Sequence, residues 1–517
     1  MTSAITFAAL VIAGAVSALR WLRVAQREHY LAGSTTRFAF RWWKLPNNAL
    51  LALVAVVATV AIAIEPLIGL VTAGVIAIGP IGLSIRGRSG ALAWTRRLKT
   101  IATVVIGINL VALGLGIGLS IGLGTGLDAL VWPEALFTMA MPFVIDGALM
   151  ITAPLERRLA RRFIDQASKA LHEIDPVIIA ITGSYGKTTI KNYVAHLLGD
   201  TRRVVASPAS FNNAAGISRT VNEQLVSGTE VFVAEMGTYG PGEIRNMCSW
   251  VQPDISVICA IGPVHLERMG SLDAIVSAKS EIVEPANVVV LNIDAHGLAA
   301  LGDQCEAKGK TVVRYSTHND QIVIDGESIT TQDLNDAHSS NVACALAVTK
   351  ALALLQGTLS QGDTFHYPID LLGNLPVVAH RQTVSVAESG VTIIDDTFNS
   401  NPVGSRAALA LLSRHGDPGG SKVVVTPGMV ELGPIAFEEN SSFAADALGC
   451  ADHLIIVGKT NRRALLAGAA RVAGAGNVVR SNVLTVSTRD EALAWVRANL
   501  KSGDVVLWEN DLPDHFP

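Results

Sequence analysis

At 517 residues and 54.3 kDa the chain is too long for one compact domain, and at roughly 150 residues per domain it has room for three or four. It is 50% hydrophobic and 16% charged, with a mean hydropathy of +0.40, too apolar for an ordinary soluble enzyme and too charged for membrane helices alone. Residues 1–175 carry 16 Lys/Arg against 9 Asp/Glu and residues 176–517 carry 24 against 35, so the second part is acidic and lacks the basic surplus that nucleic-acid binding needs.

Five apolar runs of near-spanning length lie in the basic part, at about 4–22, 47–64, 66–84, 101–123 and 130–153. The first reads as an anchor rather than a cleaved signal, because it has no basic start and no small-residue cleavage site before Arg20. Basic residues fall in alternate connections: Arg23, Arg27, Arg37, Arg41 and Lys44, then Arg86, Arg88, Arg96, Arg97 and Lys99, then Arg157, Arg158, Arg161 and Arg162. Loops rich in Lys and Arg stay cytoplasmic, so five crossings with the N-terminus outside put all three basic segments, and everything after them, in the cytoplasm of a multi-pass inner-membrane protein. Gly114, Gly118, Gly122 and Gly126 repeat every four residues and predict close helix packing. Asp146, the one acid well inside a span, reads either as a functional group or as an acid paired within the bundle. Residues 156–176 read as a basic amphipathic connector at the membrane surface.

From Pro176 short β-branched runs alternate with helical stretches, the texture of an α/β domain. Val177 to Ile181 reads as a strand, residues 182–189 (TGSYGKTT) as a glycine loop, and the stretch from Ile190 as a helix. That order makes a phosphate cradle: glycines let backbone N–H groups face the anion, Lys187 reaches the terminal phosphates and the Thr188 hydroxyl sits on Mg²⁺. Val231 to Ala234 reads as a buried strand delivering Glu235 to the end where such sheets hold ligands, positioned to bind magnesium. A second strand, Ile255 to Ile261, delivers His265, which alone reads as a capping or solvent residue. Lys279 alone reads as a solvated helix lysine. The five cysteines (Cys248, Cys259, Cys305, Cys344, Cys450) form no CxxC pair, which disfavours a disulfide framework or a zinc ribbon and suits a reducing compartment.

Residues 177–510 resemble the Mur ligases, most of all the members that add D-alanyl-D-alanine to UDP-N-acetylmuramoyl-tripeptide. The resemblance rests on ordered blocks: TGSYGKTT at 182–189, FNNAAG at 211–216, AEMGTYGPGEI at 234–244, IGPVHLERMGSLDAIVSAKSEI at 261–282, LNID at 291–294, DDTFNSNP at 395–402 and GMVELG at 428–433. It implies ATP held by Gly183, Ser184, Gly186, Lys187, Thr188, Thr189, Asn292, Asn341, Arg381 and Asp396. It implies Mg²⁺, two ions in all, on Thr188, Glu235, His265 and a carbamylated Lys279, and a substrate side formed by Asn212, Asn213, Asn399 and Asn401. Lys187, Glu235, His265 and Lys279 would carry the catalysis of an ADP-forming carboxylate–amine ligase that makes an acyl phosphate in peptidoglycan synthesis.

The resulting expectation is a helical membrane bundle at 1–155, the connector at 156–176, an ATP-binding α/β P-loop domain at 177–380 and a Rossmann-like domain at 381–517. Its partners would be a small carboxylate, nucleotide-sugar or lipid-linked, an amine, the membrane and other envelope-synthesis proteins, with no nucleic acid. The sequence departs from the family in three places. No separate UDP-gripping domain precedes the P-loop; the usual HNxxN helix start is Ser340-Asn341-Val342-Ala343-Cys344; and Trp508-Glu509-Asn510-Asp511 replaces a Lys-Gly-Ser turn. Three alternatives stay open: an enzyme similar to poly-γ-glutamate synthases, which pair a membrane segment with a Mur-like core; a P-loop energy module driving its own membrane bundle; and a non-catalytic scaffold.

Overall fold

Residues 2–85, 92–123, 128–208, 211–318, 321–330, 339–398, 400–474, 482–512 and 515–516 are described by the computed structural model. Arg86, Arg88, Gly126 and Asn399 lie outside them. The chain divides into two units, 1–159 with 512–517, and 160–511.

The first unit is helical: α1 (Thr2–Arg27), α2 (Ser34–Trp43), α3 (Pro46–Ala61), α4 (Gly69–Ile78), α5 (Arg96–Leu123), α6 (Asp128–Met139) and α7 (Met141–Ile174), the last running on into the second unit. Among the described residues, two stretches are long and apolar enough to cross a membrane, Thr2–Arg27 and Arg96–Gly118. The count rises to four if the pairs α2–α3, bent by 106°, and α6–α7, bent by 74°, each make one span. The apolar run at 66–84 yields only a 3₁₀ turn (Pro66–Ile68) and α4, too short to cross a core about 30 Å thick. The end of α4 is closed by Arg20, whose guanidinium donates to the carbonyls of Ile76 (3.2 Å), Ala77 (2.6 Å) and Gly79 (2.6 Å).

Asp146 has a local task. Gly33, which precedes α2, offers no side-chain cap, and the Asp146 carboxylate accepts from the Thr36 N–H (2.8 Å) and the Thr35 N–H (3.4 Å) instead. The segment around His515 also packs in this unit. Trp42 Nε1 donates to the His515 carbonyl (2.9 Å), His515 Nε2 meets Glu28 Oε1 (3.0 Å), and the Phe38 ring stands edge-on to both His515 and Phe516.

In the second unit an eight-stranded sheet has the order β2-β3-β1-β4-β5-β6-β7-β8. Its strands are β1 (Val177–Thr182), β2 (Val204–Ala206), β3 (Val231–Glu235), β4 (Ile255–Ile258), β5 (Val288–Asn292), β6 (Thr311–His318), β7 (Gln321–Ile324) and β8 (Glu327–Ile329). The first six pair in parallel and the last two add antiparallel. Continuous Val/Ile runs suit this sheet because helices cover both faces. Helix α8 (Lys187–Gly199) and the helix Ser339–Leu355 supply apolar residues to one core; Ala167 and Leu171 of α7 are buried in the other. The connector thus continues α7 and buries one stripe, while Leu155, Leu159 and Phe163 remain exposed among Arg157, Arg158, Arg161 and Arg162.

A second sheet has the order β13-β12-β11-β14-β10-β9, parallel except for its edge strand β9 (Thr383–Val386). The others are β10 (Thr392–Asp396), β11 (Lys422–Thr426), β12 (His453–Val457), β13 (Val483–Val486) and β14 (Val505–Glu509). In the first sheet β1 lies between β3 and β4, where connections turn to opposite sides, so the loops after β1 and β3 open into one crevice.

Candidate functional site

The loop between β1 and α8 is shaped by two glycines at which a Cβ would force its neighbours to shift. A Cβ on Gly183 would stand 2.3 Å from Cys259 Sγ; Gly186 has φ +80° and a Cβ there would stand 2.7 Å from Asn341 Oδ1. Ser184 pins the loop by donating to the Gly262 carbonyl (3.1 Å) and accepting its N–H (2.9 Å). Helix α8 starts with no side-chain cap, leaving its first N–H groups to face an anion.

At the end of β3, Glu235 is 2% exposed and gathers donors: Thr188 Oγ1 (2.8 Å) and Lys191 Nζ (3.4 Å) on Oε2, and Asn212 Nδ2 (3.3 Å) on Oε1. Lys187 Nζ donates to the Gly183 carbonyl (2.8 Å), and so does Lys279 Nζ (3.0 Å). Burial pushes Lys279 down to about 7, and the neighbouring Lys187 acts in the same direction. Burial also lowers Lys187 and Lys191, with Glu235 opposing it in both. Hydroxyl and carboxylate oxygens side by side, Thr188 and Glu235, are the hard donors Mg²⁺ takes.

An open cleft of ≈ 820 Å³ of unfilled space is lined by Tyr185, Gly186, Thr189, Asn341, Arg381, Gln382, Asp396, Phe398, Ser400 and Asn401 among others. The Arg381 guanidinium lies 4.7 Å from the centre of the Phe398 ring, and burial lowers its pKa against the pull of Glu235 and Asp396. Burial raises Asp396 to about 6, with Gln382 and Arg381 pulling the other way. Glu509, opposite Asp396 in the strand register, is pushed up by burial and then by Asp396.

Other expected site residues have side chains with partners of their own. Asn213 caps the helix Ala214–Gln224 through the Gly216 N–H (2.9 Å), and Asn401 likewise caps Pro402–Arg414 through Gly404 while lining the cleft. Asn292 is tied down, donating to the Cys259 carbonyl (3.1 Å) and accepting from the Asp294 N–H (3.1 Å). The His265 Nδ1 pairs with Glu431 Oε2, and Tyr239 stands edge-on to its ring. Sequence reasoning missed Lys191 and Glu431. For Lys191 a signal existed, a lysine one turn after Lys187 on the helix side that otherwise goes to the core.

A P-loop whose lysine and threonine meet a buried carboxylate, beside a cleft shared with a second α/β sheet, defines a phosphoryl-handling ligase core. Two family models match: the Mur ligase middle domain over residues 181–373 and the Mur ligase glutamate ligase domain over 380–509. The UDP-N-acetylmuramoyl-tripeptide–D-alanyl-D-alanine ligase of Mycobacterium bovis is 32% identical over 357 residues, 64% of this chain and 69% of that protein. Its Bacillus subtilis counterpart is 30% identical over 281 residues, 53% and 60% of the two chains. Among solved structures, MurF from Acinetobacter baumannii superposes with a TM-score of 0.56 at 23% identity over 68% of this chain and 77% of that one. MurF from Thermotoga maritima in complex with ADP gives 0.54 at 22%, over 68% and 80%. The chain belongs to the Mur ligase family and is an ATP-dependent, amide-bond-forming ligase. Residues 1–180 lie outside both family matches.

Proposed function

We propose that this protein is a membrane-held ligase of cell-envelope synthesis that joins a peptide carboxylate to D-alanyl-D-alanine, with UDP-N-acetylmuramoyl-tripeptide as the nearest donor. The relatives named above support the reaction, and the observation that carries it is the Thr188–Glu235 contact beside two lysines on one P-loop carbonyl. A carboxylate is a poor electrophile, so it first attacks the γ-phosphorus of ATP, breaking the β–γ bond to give an acyl phosphate and ADP; the amine then attacks the acyl carbon, losing a proton as phosphate leaves. Lys187 and Arg381 lower the repulsion between the anionic nucleophile and the polyphosphate, and the α8 N-terminus holds the phosphates. Thr188 and Glu235 would hold one magnesium; His265 and a carbamylated Lys279 would hold a second. Bound there, Mg²⁺ supplies charge neutralisation at the transferring phosphoryl. Lys279 suits carbamylation because an amine pushed down to about 7 is largely neutral near pH 7.5, the form that reacts with CO₂. Asn341, Asp396 and Thr189 face the nucleotide, and Asn212 and Asn401 the substrate side.

We read residues 1–155 as a membrane bundle with the N-terminus outside, 156–176 as a surface connector, 177–380 as the ATP-binding domain and 381–517 as the amine-side domain. The exposed Leu155, Leu159 and Phe163 among four arginines support a connector lying on an anionic membrane, with the ligase in the cytoplasm near other envelope enzymes. The helical unit outside both family matches favours a second donor, the same peptide on a lipid carrier. Full-length protein in detergent, given ATP, Mg²⁺, D-alanyl-D-alanine and either donor, should release ADP and form the amide, with a hydroxamate trapped by hydroxylamine. No product from either donor, with a hydroxamate forming on another carboxylate, would refute the assignment.

A further inference from the structure

Glu431 ties the two α/β domains together at one point. Its carboxylate receives His265 Nδ1 on Oε2 and Arg268 Nη2 on Oε1 (3.0 Å), while its carbonyl accepts the Glu267 N–H (3.2 Å). The contact spans 166 positions of sequence, from the loop after β4 to the loop after β11. Both residues have left-handed backbones, φ +61° at His265 and +63° at Glu431, so each side chain is presented by a turn rather than by a regular element. Neighbouring packing fixes the seam: Met429 and Leu432 are buried in the core of the second sheet, and Ile435 packs against that core and against one core of the first sheet. On the other side of the His265 ring, Tyr239 stands edge-on at 5.2 Å, and the Arg268 guanidinium lies 5.1 Å from the Tyr239 ring centre.

An ionised carboxylate only accepts, so the partner it selects on Nδ1 is a proton, and the imidazole is left with its lone pair on Nε2. Metal-binding histidines are held in this way by an acceptor behind them, which fixes tautomer and ring direction. We propose that Glu431 is a positioning residue of the ligase: it sets the His265 ring for magnesium through Nδ1, and because it belongs to the other domain, that setting exists only while the domains are seated together. This rests on the reading of His265 as a magnesium ligand.

The test is Mn²⁺ titration, followed by electron paramagnetic resonance, of full-length protein with a non-hydrolysable ATP analogue, comparing His265→Ala, Glu431→Ala and Glu431→Gln. His265→Ala should weaken the second Mn²⁺ site. Glu431→Ala should weaken the same site by roughly 10- to 100-fold, the range for groups behind a metal ligand. Glu431→Gln, isosteric and still able to accept from Nδ1–H, should lose less than Glu431→Ala. If His265→Ala weakens the site and neither Glu431 variant does, the proposal is overturned while the magnesium reading stands. If His265→Ala leaves both Mn²⁺ sites unchanged, the magnesium reading itself fails and the proposal falls with it.

Discussion

Lys187 and Lys279 donate to the same oxygen, the Gly183 carbonyl, at 2.8 and 3.0 Å. Burial, and after it repulsion from the Lys187 ammonium on the same acceptor, lowers the Lys279 pKa to about 7 from an ordinary 10.5. Folding lowers this pKa, so between about pH 7 and 10.5 the unfolded chain holds a proton that the folded chain has released, and stability rises with pH across that interval. The burial penalty is full below pH 7. In CO₂-free buffer the wild type should therefore gain on Lys279→Met by up to ~1.4 kcal/mol per pH unit as pH rises from 7. Denaturant midpoints of the two proteins at pH 6.5, 7.5 and 8.5 measure this; parallel curves would refute it.

Glu235 is the acceptor that makes the buried cations tolerable. Its replacement by alanine takes the carboxylate from Lys191, which is 1% exposed, and breaking a buried ion pair by removing one partner costs ~3–5 kcal/mol. Glu235→Ala should unfold at a clearly lower temperature, and ADP release should be lost. Glu235→Ala combined with Lys191→Met should recover much of the stability and none of the activity. Thermal unfolding with a coupled ADP assay separates the two effects.

How much of this was legible follows from range along the chain. Lys187, Thr188 and Glu235 were readable because a strand, a glycine loop and a helix sit in sequence and a second strand ends in an acid. Lys279 was readable only through the resemblance, since nothing local marks its burial. Glu431 lay beyond reach because its partner is 166 residues away and both are presented by irregular backbone. In the membrane part 130–153 reads as one apolar run, yet the chain bends by 74° where α6 gives way to α7, with Pro142 at the new start. Asn213 and Asn292, named through the resemblance, also serve the fold: Asn213 caps a helix, and Asn292 bonds the Cys259 carbonyl and the Asp294 N–H.

The P-loop has a steric test. A Cβ at Gly183 would meet Cys259 Sγ at 2.3 Å and the Ala260 N at 3.1 Å. Gly183→Ala should cut ATP affinity by more than tenfold. Adding Cys259→Ala removes the nearer obstacle and leaves the backbone one, so the double variant should recover part of the loss. Nucleotide-binding titrations on the four proteins of this cycle give the coupling, and strict additivity would refute the clash.

Asp146 bears on whether the helical unit transports anything. Its carboxylate is occupied by the Thr35 and Thr36 N–H groups at the start of α2. Asp146→Ala should cost ~0.5–2 kcal/mol, the range for a lost helix cap, with ADP release in the ligase assay unchanged; Asp146→Asn should cost less because an amide oxygen still accepts. Loss of ligase turnover in Asp146→Asn at unchanged thermal stability would instead give the acid a chemical role.

The segment at His515 gives the last prediction. Its imidazole, 1% exposed, reaches Glu28; its carbonyl takes the Trp42 N–H; and Phe516 lies edge-on to Phe38 with ring centres 4.9 Å apart. A buried Phe38 against a half-buried Phe516, with two polar anchors, should hold this segment against the helices even in detergent. Phe38→Cys with Phe516→Cys should be bridged by a short bis-maleimide, because the two side chains lie in contact. His515→Ala should weaken the seat and slow that cross-link severalfold, read on gels. Equal cross-linking rates with and without His515→Ala would show that the Glu28 contact does not hold the segment.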